Sequence, residues 1–260
     1  MNIFLKTFDK IQEEIGKDNF LLKEIEFIAL LGSVAESEAI ENYSDLDILF
    51  ILKSNKYGTI KLRVLLKLKK IVIKLSSKYQ IKISFLTHTF DDLINYVDVI
   101  YLKRYSLGKV IYPKGKTLAA KIDEIIRQKK ATKTNEVKDL IIYNLRHVRF
   151  NLLREFVSLN KYNTNNYVRA FSRTLIDKIF NICDWCLIYD DIWYKNKRLI
   201  VSDIYKKYNK SMFLVPLKDA YDLRKRWNII SDDELESFFI KGIEFAIGLI
   251  ELIIKREVKK

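Results

Sequence analysis

Residues 25–52 read IEFIALLGSVAESEAIENYSDLDILFIL, two apolar runs separated by a polar segment. The first run, 25–31, ends in Gly32 and has the length and continuity of a buried strand. The second, 45–52, reads as another strand that enters the apolar core through Asp45-Leu46-Asp47-Ile48. Working outward, 3–15 carries Ile3, Phe4, Phe8, Ile11 and Ile15 at helical spacing. Residues 59–78 are long enough for a helix, and 80–86 (QIKISFL) form a third strand. Thr89-Phe90-Asp91-Asp92 has capping-box spacing with Asp in the place of Glu or Gln, and opens a short helix. Residues 109–112 (KVIY) make a last strand, closed by Pro113 and Gly115.

Beyond that point the pattern is helical throughout. Val137, Leu140, Ile141, Leu145, Val148, Leu152 and Phe156 mark one long amphipathic helix. A second spans 166–189, a short third spans 202–209 with Ser202 as its N-cap, Pro216 breaks the chain, and a last helix covers 232–257. The expectation is two domains, 1–115 with mixed α and β elements and 116–260 an all-α helical bundle.

Composition narrows the function classes. Forty-seven Lys and Arg against 33 Asp and Glu give a formal charge of +14, which favours phosphate-bearing partners, nucleic acid among them. The excess is spread over both halves, so a solvated lysine surface accounts for most of it. Nearly half the residues are apolar, which excludes intrinsic disorder. The most apolar stretch, 238–254, is interrupted by Lys241, Glu244 and Glu251, so no membrane span is expected and the location expected is cytoplasmic. Cys183 and Cys186 form a CxxC in mid-helix without a second ligand pair and read as buried structural thiols.

The chemistry lies between the first two strands. Alternation on a strand puts Asp45 and Asp47 on one face, about 6–7 Å apart, where two carboxylates repel unless a cation sits between them. Mg²⁺ is typically held by one or two carboxylates together with substrate phosphates. Gly32-Ser33, at the end of the preceding strand, allows close backbone approach and supplies a hydroxyl.

Leu31-Gly32-Ser33, an eleven-residue gap, and Asp45-Leu46-Asp47-Ile48 resemble the signature of the DNA polymerase β-like nucleotidyltransferase superfamily, and Ser44 supplies the frequent Ser-Asp step. Gly108-Lys109-Val110-Ile111-Tyr112 is similar to the closing strand of the minimal and aminoglycoside-type members. The resemblance implies an α+β nucleotidyltransferase fold with a mixed sheet and flanking helices. It implies nucleotidyl transfer, with one or two Mg²⁺ on Asp45 and Asp47 and the phosphates of ATP or another NTP at Gly32 and Ser33. The expected reaction moves a nucleoside monophosphate, AMP from ATP, to the hydroxyl of an acceptor.

The family usually carries a third carboxylate on a later strand. Here that position falls at Lys82 or Ser84. Minimal members often follow Gly-Ser with Ala-Arg-Gly, where this chain has Ala35-Glu36-Ser37. Lys82 either contacts nucleotide or fills a metal position itself. The latter leads to a second reading: a catalytically degenerate module that binds nucleotide or acts as a regulatory or antitoxin-like protein. His147, between Arg146 and Arg149, is the candidate general base in the helical half.

Overall fold

A computed structural model describes residues 2–55, 59–113, 118–132, 136–157, 165–193, 196–208 and 215–258. Gly115, expected to close the last strand, lies outside these residues. The chain divides into two compact units, Met1–Thr134 and Asn135–Lys260.

The first unit opens with α1 (Ile3–Gly16), N-capped by the Asn2 side chain, and α2 (Asn19–Glu24), capped by Asp18. Next come β1 (Ile25–Leu31), a single-turn α3 (Gly32–Ala35), β2 (Leu46–Leu52), α4 (Leu62–Tyr79) and β3 (Ile83–His88). The unit continues through α5 (Phe90–Asn95), α6 (Val99–Ser106), β4 (Lys109–Tyr112) and α7 (Leu118–Thr132). The strands form one mixed sheet in the order β3-β2-β1-β4. β2 is antiparallel to β1 and parallel to β3, and β4 is antiparallel to β1.

The central strands are covered on both faces, which is why their sequences are continuous apolar runs rather than alternating ones. Leu46, Ile48, Phe50 and Leu52 of β2 join Ile28 and Leu30 of β1 in a core with Phe4, Phe8 and Ile11 of α1 and Val64, Leu68 and Leu75 of α4. The opposite face, with Phe27, Ala29 and Leu31 of β1 and Leu49 and Ile51 of β2, packs on Leu93, Leu102 and Tyr105. Leu118, Ile122, Ile125 and Ile126 of α7 belong to that second core. Their helical spacing packs α7 into the first unit.

Two edges of the sheet are set by local chemistry. The Thr89–Asp92 box forms as its spacing predicts. The Thr89 backbone N–H donates to Asp92 Oδ2 at 2.7 Å, and the Asp92 N–H donates to Thr89 Oγ1 at 3.0 Å. β3 starts at Ile83 and runs to His88, shifted toward the C-terminus from the expected 80–86. Gln80 ends α4 in the left-handed region, φ 52°, and Ile81 seals the turn, so the strand can begin only after it.

The second unit is helical throughout its described residues: α8 (Glu136–Val157), α9 (Asn165–Tyr189), α10 (Lys197–Tyr208), α11 (Val215–Lys225) and α12 (Asp232–Val258). A Cβ added at Gly242 of α12 would lie 2.8 Å from the Phe238 ring and 3.0 Å from Leu175 Cδ2, so glycine lets α9 and α12 approach closely. Two expected boundaries are corrected. α10 starts at Lys197, with the Leu199 N–H donating to Asn196 Oδ1 at 2.9 Å, which leaves Ser202 inside the helix. Pro216 sits in the first turn of α11, where its missing N–H costs nothing, so it opens a helix rather than interrupting one. Cys183 and Cys186 are fully buried and unbridged. No helix among the described residues is long and apolar enough to cross a membrane.

Candidate active site

The site is built at one end of the sheet, where β1 ends and β2 and β3 begin. Leu31 pairs with Asp47 across the antiparallel ladder, and Asp47 pairs with Ser84 across the parallel one. One step earlier, the Leu46 N–H donates to the Lys82 carbonyl at 2.9 Å. Registered partners share a face, so Asp45, Asp47, Lys82 and Ser84 lie on one face of the sheet. Leu46 and Ile48, fully buried on the other face, anchor the strand and fix where the two carboxylates point.

Gly32 is central to the geometry. Its φ is +59°, and a Cβ at this residue would lie 2.9 Å from Asp47 Oδ2. Any other residue would be strained in backbone and would collide with the carboxylate. The Gly-Ser step therefore does more than free the loop: it lets the Asp47 side chain lie against the end of β1. Ser33 follows, half-buried, in the single turn α3.

The eleven-residue gap is folded rather than loose. Tyr43 is buried, its N–H donating to the Ile40 carbonyl at 3.2 Å, and Ser44 Oγ accepts the Ile40 N–H at 2.9 Å. Ser44, a candidate nucleotide contact, thus braces the loop that delivers Asp45 to the sheet.

Of the two positions expected to carry a third carboxylate, Ser84 is registered beside Asp47 and Lys82 lies beside Asp45. The Lys82 Nζ lies 2.6 Å from Asp45 Oδ2, and its side chain stays 70% exposed while that of Asp45 is 17% exposed. The candidate cation donors are the carboxylate oxygens of Asp45 and Asp47, which share one face of the sheet. Among the described residues no group of three or more His, Cys, Asp or Glu side chains is arranged to hold a metal ion. Two hard oxygen donors, with water and phosphate completing the shell, suit one Mg²⁺.

His147 belongs to the second unit. It is exposed on α8, with Nε2 2.8 Å from Asn151 Nδ2 and its ring stacked on Tyr143 at 6.4 Å. The basic helix α4 spends part of its charge within the fold. Lys67 pairs with Asp18, Lys74 with Glu14 at 2.9 Å, and Lys61, which precedes the helix, with Glu24 at 2.6 Å.

Two features were not singled out in the sequence. His88 and Tyr105 meet at 3.2 Å between β3 and α6. Burial pushes the His88 pKa down, with Asp92 opposing, and pushes Tyr105 up to about 12. A cleft of about 600 Å³, lined by Thr59, Ile60, Leu65, Asp91, Asp92, Asn95 and Tyr96, opens beside α5. It is toward the end of β3 remote from Asp45. Asp92 is committed there to capping, and Asn95 donates to the Asp91 carbonyl, so the cleft carries no catalytic constellation.

The mixed sheet, the glycine turn against Asp47 and the carboxylate pair make up the candidate site. Residues 10–107 match the family model of the nucleotidyltransferase domain, of the polymerase β-like superfamily. A comparison of the chain with curated proteins gives no match.

Proposed function

We propose that the chain is a divalent-cation-dependent nucleotidyltransferase that moves a nucleoside monophosphate, AMP from ATP, to the hydroxyl of an acceptor. The observation that carries this reading is the pairing of Gly32 with Asp47: a residue forced into positive φ holds a carboxylate at a sheet end beside a second one. A bound Mg²⁺ supplies charge neutralisation at the phosphates and polarises the α-phosphorus. Asp45 and Asp47 hold and orient that ion, and the backbone of Gly32 and the hydroxyl of Ser33 contact the triphosphate. The acceptor oxygen bonds to the α-phosphorus, the bond from that phosphorus to the bridging oxygen breaks, and pyrophosphate leaves with the electron pair. The acceptor proton passes to a base or to water. Positioning and electrostatics supply most of the rate.

A second reading rests on one contact. With Lys82 Nζ 2.6 Å from Asp45, a degenerate module would bind nucleotide without turning it over. ATP labelled on its α-phosphate or its γ-phosphate, incubated with the chain, Mg²⁺ and a panel of hydroxyl-bearing acceptors, separates the two. Transfer of the α label with release of the γ label in pyrophosphate is expected. Asp47→Ala should reduce that transfer by about 10²–10³-fold or more, since an electrostatic anchor of the transition state is lost. Undiminished transfer in this variant, or product carrying the γ label, sinks the proposal. Nucleotide binding with no transfer to any acceptor favours the degenerate module.

A further inference from the structure

The solvent side of α8 combines open rings with arginines. Ile141, Leu145 and Leu152 are fully buried, and at about 100° per residue they mark the packed side of the helix. The opposite side presents Tyr143, His147, Phe150 and Arg154, three or four residues apart, with Arg146 and Arg149 exposed beside them. Tyr143 is 66% exposed and Phe150 63%, so neither ring serves the core. The His147 ring lies parallel to that of Tyr143, with 7° between the planes, and the Arg154 guanidinium sits over Phe150 at 5.9 Å. No exposed residue of α8 from 143 to 154 is acidic. The carboxylates at the edges of the face are Asp139, a turn before Tyr143, and Glu251 of α12, which pairs with Arg149 at 3.4 Å.

We propose that this face of α8 binds single-stranded nucleic acid, with bases stacked on Tyr143 and Phe150 and phosphates met by Arg146 and Arg149. The pairing of chemistries selects this partner. Every base offers a π-face to an exposed ring, and guanidinium groups match phosphate oxygens. Tyr143 and Phe150 are seven residues apart, about 10.5 Å along the helix axis. That is the length of roughly three stacked bases, so the two rings reach bases of one short strand. A duplex keeps its bases stacked on one another and shows the rings mainly sugar and phosphate. An acidic peptide answers the arginines only. The proposal stands independently of the reaction assigned to Asp45 and Asp47.

The anisotropy of a dye-labelled single-stranded RNA of about a dozen nucleotides, titrated with the full chain, reads the binding, and the same sequence as DNA tells which strand the face takes. Saturable binding of at least one strand is expected, weakening linearly with salt on logarithmic axes. Tyr143→Ala and Phe150→Ala should each weaken it about tenfold with the salt slope unchanged, because a stacking platform is lost and no charge is. Arg146→Gln should instead lower the salt slope by about one. Tyr143→Trp and Phe150→Trp, which keep a ring, should bind as the wild type does, so that a loss in the alanine variants reports the ring and not the fold. A blunt duplex of the same sequence should compete at least about tenfold less well than the single strand. Binding of neither strand overturns the proposal, and so does wild-type affinity in both alanine variants, which would place the nucleic acid elsewhere on this basic chain. Equal competition by the duplex overturns it too. Displacement of the strand by poly-glutamate at matched charge assigns the face to an acidic protein and overturns it as well.

Discussion

Among the carboxylates of this chain that cations hold, Asp45 and Asp190 sit in contrasting surroundings. Asp45, at the sheet end, faces one ammonium that is mostly in water and has a second carboxylate for a neighbour. Asp190, where α9 ends, is 11% exposed and surrounded by donors. Arg256 of α12 gives it two guanidinium contacts at 2.9 and 3.3 Å, Lys207 of α10 pairs with it, and the Tyr208 hydroxyl donates at 3.3 Å. Burial pushes the Asp190 carboxyl up, but the hydrogen bonds from Arg256 and Lys207 outweigh it and hold the carboxyl below its ordinary range. Its donors come from elements far apart in sequence, so Asp190 is a clamp of the helical unit. The partner seen at Asp45, Lys82, reaches it from a largely exposed position. How many donors surround a carboxylate, and how dry they are, separates a structural anchor from a binding group more clearly than the presence of an ion pair.

The comparison can be broken by substitution. Beyond the loss of transfer expected of Asp47→Ala, the largest effect should come from Asp190→Asn, which leaves Arg256 and Lys207 facing a neutral amide on a nearly enclosed position. The partners are themselves partly exposed, so the cost is about 2 kcal/mol rather than that of a fully buried pair. Urea unfolding should show a lower midpoint with an unchanged slope. A wild-type midpoint in this variant would remove the distinction between the two sites.

The same group sets a dependence on pH. Because the folded pKa of Asp190 lies below its unfolded value of about 3.8, its stabilisation is fully present above that value. It is lost as pH falls from there through the folded pKa. The stability advantage of the wild type over Asp190→Asn should therefore be constant from neutral pH to about pH 5 and shrink below 3.8. Glu13, held down to about 2 by hydrogen bonds from Lys10 and Lys17, titrates in the same window, so the difference between the two chains is the readout. An advantage that grows toward acid would reverse the sign and refute the clamp.

Why some of this was legible and some was not follows from how local each feature is. β1 and β2 are buried on both faces, so their apolar runs announce them, and the Thr89–Asp92 box is written within four residues. The signature from Leu31 to Ile48 locates the site because its parts adjoin in one antiparallel pair. By contrast, α6 begins with Val99 and Ile100, whose β-branched side chains mask a helix that Asp98 caps through the Tyr101 N–H at 3.0 Å. α7 carries Leu118, Ile122, Ile125 and Ile126 at clear helical spacing, yet only the packed structure says to which unit it belongs. The contact between Lys82 and Asp45 is the least local of all. It depends on the register of two parallel strands joined through α4, and no residue between 45 and 82 encodes that register by itself.

The smallest effect is the most telling about the sheet end. Lys82→Met removes the ammonium 2.6 Å from Asp45 but should change the free energy of unfolding by less than about 1 kcal/mol. An exposed ion pair gains little in water, since the ammonium is well solvated without it and its flexible stem loses rotamer freedom to make the contact. Asp45 itself, at the rim of the strand, regains water when the lysine leaves. If chemical unfolding shows a loss comparable to that of Asp190→Asn, Lys82 is part of the scaffold, and the sheet end is a second clamp. A negligible loss means that the stability of the sheet end does not depend on the charge of Lys82, because the ammonium is solvated as well in water as beside Asp45.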